Sequence, residues 1–191
     1  MRIGILDLQG DVREHANAFL KCGVDVARVK KAWQLSDVDA LVIPGGESTT
    51  IGTLMERYGL SELIRRRALE GMPVFGTCAG LILMASSVLE EDVPGRLGII
   101  NVAVRRNAYG RQIESFEADI HIPAIGDDPF RAVFIRAPVI ESISPGVEVL
   151  AEFEGYPVLV REGKFLASSF HPELTDDLRI CRYFLDMIQG G

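Results

Sequence analysis

At 191 residues, with 48% hydrophobic and 25% charged residues, the chain has the make-up of one globular domain with a substantial core. A formal net charge of −7 speaks against generic binding to nucleic acid or an acidic membrane surface. The most apolar stretch, Val74 to Leu89, is shorter than a membrane span and is broken by Gly, Thr and Ser.

The chain opens on Met1-Arg2-Ile3-Gly4-Ile5-Leu6, which runs straight into a strand without a signal-peptide pattern. Ile3, Ile5, Leu6 and Leu8 make a nearly continuous apolar run, expected of a central strand covered on both faces. Asp11 with Glu14 three residues on resembles a capping box, opening a helix that carries Val12, Ala16, Phe19 and Leu20 and stops at Gly23. Val24–Val29 reads as a second strand and Ala40–Ile43 as a third, which ends abruptly in Pro44-Gly45-Gly46-Glu47-Ser48-Thr49-Thr50. Helical patterns follow to about Glu70, with Ser61 as an expected N-cap. Arg65-Arg66-Arg67 falls on this pattern as a solvated helix face. A short apolar run, Pro73-Val74-Phe75, then leads into Gly76-Thr77-Cys78-Ala79-Gly80 and a helix starting at Leu81 that is apolar nearly all round.

Beyond Leu89 the rhythm changes. Short strands are expected at 98–104, 113–120, 132–136, 147–153, 156–161 and 164–170, punctuated by Gly110, Gly126, Gly146, Gly155 and Gly163. Thr175-Asp176-Asp177 is expected to cap a last helix through Ile180, Phe184, Leu185 and Ile188. Strands alternating with helices predict an α/β fold: a doubly wound, mostly parallel sheet with flanking helices and antiparallel additions in the second half, all in one domain over 1–191.

Cys78 lies between glycines two residues away on either side, at the end of a predicted strand and the start of a predicted helix. This is the spacing of a nucleophile elbow, whose sharp turn needs small, permissive neighbours and sets the sulfur at the positive end of a helix. Ser169-Phe170-His171-Pro172-Glu173 supplies a base and a carboxylate after another strand. Ligand sites in open α/β sheets form beyond the carboxyl ends of the strands, so Gly45-Gly46, Cys78 and His171 with Glu173 can converge there. In that arrangement Cys78 is the nucleophile, His171 the general base and Glu173 the group that orients the imidazole. The backbone N–H groups of Ala79 and Gly46 are the candidate oxyanion donors.

Gly46-Glu47-Ser48-Thr49-Thr50-Ile51-Gly52 lacks the lysine of a phosphate loop. The three histidines, His15, His121 and His171, lack the His-Glu-x-x-His spacing of a metal site, so no metal is expected. His15 and His121 read as surface or supporting residues. Cys22 and Cys181 read as packing residues, and three cysteines with no scaffold or zinc spacing fit a reducing cytoplasm.

With Gly-Thr-Cys-Ala-Gly at 76–80 and His-Pro-Glu at 171–173, the chain resembles the triad-type (class I) glutamine amidotransferases. Further segments narrow the likeness to the family of glutaminase subunits of pyridoxal 5′-phosphate synthase. They are Leu8-Gln9-Gly10-Asp11-Val12-Arg13-Glu14-His15, Pro44 to Thr50, Arg106 to Gln112, Ser115 to Asp119, Phe134-Ile135-Arg136-Ala137-Pro138 and Ser169 to Thr175. The resemblance implies a flavodoxin-like fold and hydrolysis of L-glutamine to glutamate and ammonia through a thioester on Cys78. It also implies a glutamine site lined by Gly46, Glu47, Ser48, Arg106, Ile135 and Arg136, no cofactor, and ammonia passed to a separate synthase subunit. Either Arg106 or Arg136 could pair with the glutamine α-carboxylate, and Glu47 could attract the α-ammonium. Glutaminase subunits for other ammonia acceptors are the nearest alternative. A cysteine peptidase or deglycase of related fold is a more distant one, since it would not be expected to pair Pro-Gly-Gly-Glu-Ser with His-Pro-Glu. A catalytically dead binding module would be expected to have lost Cys78, His171 or Glu173.

Overall fold

The computed structural model describes residues 1–89, 92–106 and 115–190. The first half alternates strands and helices as its sequence periodicity predicts: β1 (Arg2–Leu6), α1 (Val12–Lys21), β2 (Asp25–Val29), β3 (Ala40–Ile43), α2 (Ser48–Arg57), α3 (Leu60–Leu69), β4 (Val74–Thr77) and α4 (Ala79–Met84). The second half is mostly strands, β5 (Ala85–Val88), β6 (Ile100–Arg105), β7 (Ser115–Ile120), β8 (Phe130–Ile135), β9 (Val139–Ile143), β10 (Glu148–Phe153), β11 (Tyr156–Glu162) and β12 (Phe165–Ser168), before α5 (Arg179–Gln189).

Among the described residues, seven strands form one sheet in the order β10-β11-β12-β4-β3-β1-β2. The five from β12 to β2 are parallel, and β11 and β10 extend the edge antiparallel. The β7–β8 hairpin is antiparallel. In the small sheet β5-β6-β9, β6 pairs antiparallel with β9 but parallel with β5, which departs from the expected antiparallel additions.

Both faces of the large sheet are covered, so its strands alternate between two apolar cores. Leu41 and Ile43 of β3 point to the side where Ile51, Met55 and Ile64 of α2 and α3 pack, with Leu81 and Leu83 of α4. Ala40 and Val42 point to the other, where Phe19 of α1, Phe184 of α5 and Phe134 of β8 close over Phe75 and Phe170. The buried α4 accounts for a helix whose sequence is apolar on every side.

Several local readings change. The helical patterns up to Glu70 resolve into α2 and α3, and the N-cap of α3 is Gly59 at φ 65°, not Ser61; a left-handed turn suits glycine there. Asp11 stands at the start of α1 but makes no side-chain cap bond, because its carboxylate faces His171. The last helix starts at Arg179, later than Thr175-Asp176-Asp177 suggests. Asp177 still accepts the Arg179 N–H at 3.0 Å, while Asp176 pairs with Lys21. The strand expected over 113–120 is described from Ser115, and 113–114 lie outside the described residues, as does the resemblance segment at 107–112. His121 sits just past β7 and is exposed. Among the described residues, no helix is long and apolar enough to cross a membrane.

Candidate active site

The site lies at the carboxyl ends of β1, β3, β4 and β12, around the point where the chain order reverses between β1 and β3. The loops after β1 and β3 touch: the Asp11 N–H donates to the Gly45 carbonyl at 3.1 Å, and a Cβ on Gly10 would lie 1.8 Å from that oxygen. The Gln9 side-chain oxygen accepts the Glu47 N–H at 2.8 Å and so pins the Gly45-Gly46 turn.

Cys78 connects β4 to α4 with φ 48° and ψ −99°, a left-handed conformation that costs energy in a residue with a Cβ. Its N–H donates to the Ser168 carbonyl of β12 at 2.8 Å, and its sulfur lies 3.6 Å from the Ile135 carbonyl. The flanking glycines serve space rather than backbone freedom, because the positive φ is on the cysteine itself. A Cβ on Gly80 would lie 2.2 Å from the Ile43 carbonyl oxygen, and one on Gly76 would lie 2.6 Å from the Gly80 carbonyl carbon. Small residues at both places let the elbow sink against β3.

His171 follows β12, its N–H bonded to the Val133 carbonyl at 2.8 Å. Nδ1 lies 2.8 Å from Glu173 Oε1 and 3.3 Å from Asp11 Oδ2, and the ring lines the same cavity as Cys78. Burial would lower its pKa, but hydrogen bonds with Asp11, Cys78 and Glu173 and the Glu173 charge push it up to about 12. Burial would likewise raise the Glu173 carboxyl, yet His15 and His171 hold it down at about 2. Both shifts run the same way, favouring an imidazolium beside a carboxylate. His15, from α1, is fully buried and places Nε2 3.4 Å from Glu173 Oε1.

A cavity of about 690 Å³ opens over these groups, within the range of small-molecule sites. Gly46, Glu47, Ser48, Cys78, Arg106, Ile135, Arg136 and His171, all read from the sequence, line it. Ala79 is buried directly behind Cys78, and Glu173 lies behind His171. Gln9, Asp11, Ile82 and Ser115 also line the cavity and were not assigned to the site from sequence. For Gln9 and Asp11 a signal existed: they follow β1 as Gly45 and Gly46 follow β3, at strand ends that share one crevice.

Glu47 has a structural duty as well, accepting the N–H groups of Thr49 and Thr50 at 2.9 and 2.7 Å as the N-cap of α2. Burial raises its pKa, but the hydrogen bonds from Thr50 and Thr49 outweigh that and lower it. Arg106 Nη2 sits 3.4 Å from Glu47 Oε1, so the cavity wall carries a cation beside an anion. Among the described residues, Asp11, His171 and Glu173 alone bring three ligand-type side chains together, their donor atoms within 4.8 Å. Both carboxylates face the same Nδ1, so the trio reads as a hydrogen-bonded set around the imidazolium rather than a vacant metal cage.

A parallel sheet that gathers a cysteine elbow, a histidine and a buried carboxylate at its strand ends has the build of an α/β acyl-transfer enzyme. The chain belongs to the SNO glutamine amidotransferase family, whose model matches residues 5–190. It is 53% identical over 188 residues to "Pyridoxal 5′-phosphate synthase subunit PdxT" of Desulforudis audaxviator, covering 98% of this chain and 99% of that one. It is 54% identical over 189 residues to the protein of the same name from Thermotoga neapolitana, covering 99% and 100%. A solved structure described as a glutamine amidotransferase superposes with a TM-score of 0.94 at 49% identity, covering 98% of each chain.

Proposed function

We propose that this chain hydrolyses L-glutamine to L-glutamate and ammonia with Cys78 as nucleophile, and that the ammonia goes to the synthase subunit of pyridoxal 5′-phosphate synthase. The observation that carries the chemistry is the buried line from Glu173 through His171 to Cys78 at the floor of one cavity. The Cys78 thiolate adds to the side-chain amide carbon of glutamine, and the oxyanion meets the N–H groups of Ala79 and Gly46. His171, already protonated, gives its proton to the departing nitrogen as the tetrahedral adduct collapses to a thioester and ammonia. The imidazole left behind is neutral, so it can take a proton from water as that water attacks the thioester. Glutamate leaves, and the returned proton restores the pair. Glu173 keeps its charge throughout and holds the imidazole in one tautomer.

Gly46, Glu47, Ser48, Arg106, Ile135 and Arg136 make up the glutamine pocket. An arginine, Arg106 or Arg136, takes the α-carboxylate, Glu47 draws the α-ammonium, and Ile135 packs on the methylenes. Three unpaired cysteines suit a reducing cytoplasm. The names of the relatives at 53% and 54% identity support pyridoxal 5′-phosphate synthesis as the fate of the ammonia.

The test is glutamate release from glutamine by the chain alone and with purified synthase subunit, with nitrogen from labelled glutamine followed into the synthase product. Glutamate release and labelled product are expected. Glutamate release without label in the product would leave the glutaminase and reassign the acceptor; no release with either protein present would overturn the reading.

A further inference from the structure

We infer that His15 is a positioning residue of the site, holding the same Glu173 oxygen that His171 faces and tying it to Thr77, the residue before the nucleophile. Its kinetic consequence rests on the glutaminase reading above. His15 lies on α1 with no solvent exposure, edge-on to Phe75 at 6.3 Å between ring centroids. Burying a histidine beside phenylalanine costs desolvation, which only well-placed partners offset. Nε2 has two: Thr77 Oγ1 at 3.0 Å and Glu173 Oε1 at 3.4 Å. Nδ1 has none, so a proton there would be a buried donor without an acceptor, and the packing fits the tautomer with hydrogen on Nε2.

The Glu173 carboxylate shows the same asymmetry. Oε1 faces both His171 Nδ1 and His15 Nε2, whereas Oε2 is buried without a hydrogen-bond partner. One oxygen is thus held from two elements, its own loop and α1, and the second contact sets the rotation of the carboxylate. Thr77, fully buried, ends β4 and hands the chain to Cys78. By bridging Thr77 and Glu173, the His15 ring couples the strand that carries the sulfur to the segment that carries the acid. The charged or titratable groups around Glu173 are His171 from its own loop, His15 from α1, Cys181 from α5, and beyond His171 the Asp11 carboxylate and Cys78. Of these, His171 hydrogen-bonds Oε1 at 2.8 Å and His15 Nε2 approaches the same oxygen at 3.4 Å.

Replacing His15 with leucine removes one donor from an ionised carboxylate. Glu173 then protonates at higher pH, and the acid-side loss of activity moves up with it. The experiment compares His15→Leu and His15→Gln with the parent, each assembled with the synthase subunit. Glutamate release is followed against pH, and the pH dependence of Cys78 alkylation by iodoacetamide is measured separately. For His15→Leu, kcat should fall about ten- to a hundredfold, the span for one hydrogen bond to a charged group, with KM unchanged and the acid limb of both profiles moved up. His15→Gln places a side-chain N–H near the Nε2 position and should recover most of both effects. A leucine variant that keeps the parent's acid limb, or a glutamine variant that falls as far as leucine, overturns the role. If the parent releases no glutamate while its alkylation profile still responds to His15→Leu, the functional reading fails and the positioning role stands.

Discussion

A Cβ on Gly45 would lie 2.3 Å from Cε1 of His171 and 2.9 Å from its Nδ1. The first glycine of the turn after β3 therefore leaves room for the ring as well as shaping the loop. The ring cannot simply retreat, because Glu173 and Asp11 hold its Nδ1. Gly45→Ala should cost about a hundredfold in glutaminase turnover through displacement of the imidazole. Steady-state kinetics beside a thermal melt checks this, and a variant with parental turnover would show that the ring has room to move.

Cys78 should be the one cysteine labelled by a glutamine-like electrophile. Cys181 is buried, and burial with the nearby Cys22 and Glu173 pushes its thiol up to about 12, far from thiolate formation at neutral pH. Burial also raises the Cys22 thiol. One adduct mapping to Cys78 is expected by peptide mass spectrometry. Cys78→Ala should abolish turnover and leave the fold intact, since its strained backbone rather than its side chain is what packing holds. Labelling at Cys22 or Cys181 with Cys78 untouched would count against the assignment.

His171 and Glu173 should act as one unit with Cys78. His171→Asn is expected to cost nearly as much as Cys78→Ala, and Glu173→Gln less, since in the proposed mechanism Glu173 orients the proton donor without transferring the proton. In the double variant the loss should fall well short of the product of the two single losses. Full multiplicativity would mean that they act separately.

The same pair should leave a mark on stability against pH. Glu173 is held at about 2, below its ordinary 4.5, so its contribution is full above 4.5 and is lost as pH falls toward 2. His171 is held at about 12, above its ordinary 6.5, so its contribution is full below 6.5 and drains away as pH rises toward 12. Both are fully present only between about 4.5 and 6.5. Melting temperatures should show a fall above this window that His171→Asn flattens; an unchanged alkaline slope in that variant would disprove the linkage.

What the sequence made legible follows from which features are local. The glycine-flanked cysteine, the Gly45-Gly46 break and His-x-Glu are short-range patterns at strand ends, and the structure brings them to one cavity. The strands β5 and β9 escaped notice. Ala85–Val88 continues the apolar run of α4 without a turn signal, and Val139–Ile143 owes its pairing to β6, far away in the chain. Asp11 read as a helix cap because Asp-x-x-Glu has that pattern, but the carboxylate sits where β1 and β3 bring it to His171. His15 was legible only as a histidine on a helix. Its contact with Glu173 exists because α1 packs on the turn at 172–174, a tertiary relation that no spacing encodes.

Glu47 and Arg106 should separate into two kinds of effect. Glu47 receives two N–H groups at the start of α2 and also faces Arg106 across the cavity wall. Glu47→Ala removes the cap, at a cost of about 1 kcal/mol in stability, as for other N-caps. It also removes the charge proposed to draw the α-ammonium, so KM for glutamine should rise in the same variant. Arg106 caps none of the described helices, so Arg106→Gln should cost less stability than Glu47→Ala while raising KM about tenfold or more, with kcat little changed. That pattern marks binding energy shared equally by ground and transition states. A Glu47→Ala protein that melts early but binds glutamine with parental KM would confine Glu47 to its capping duty. An Arg106→Gln protein with parental KM would assign the α-carboxylate to Arg136, whose side chain lines the same cavity.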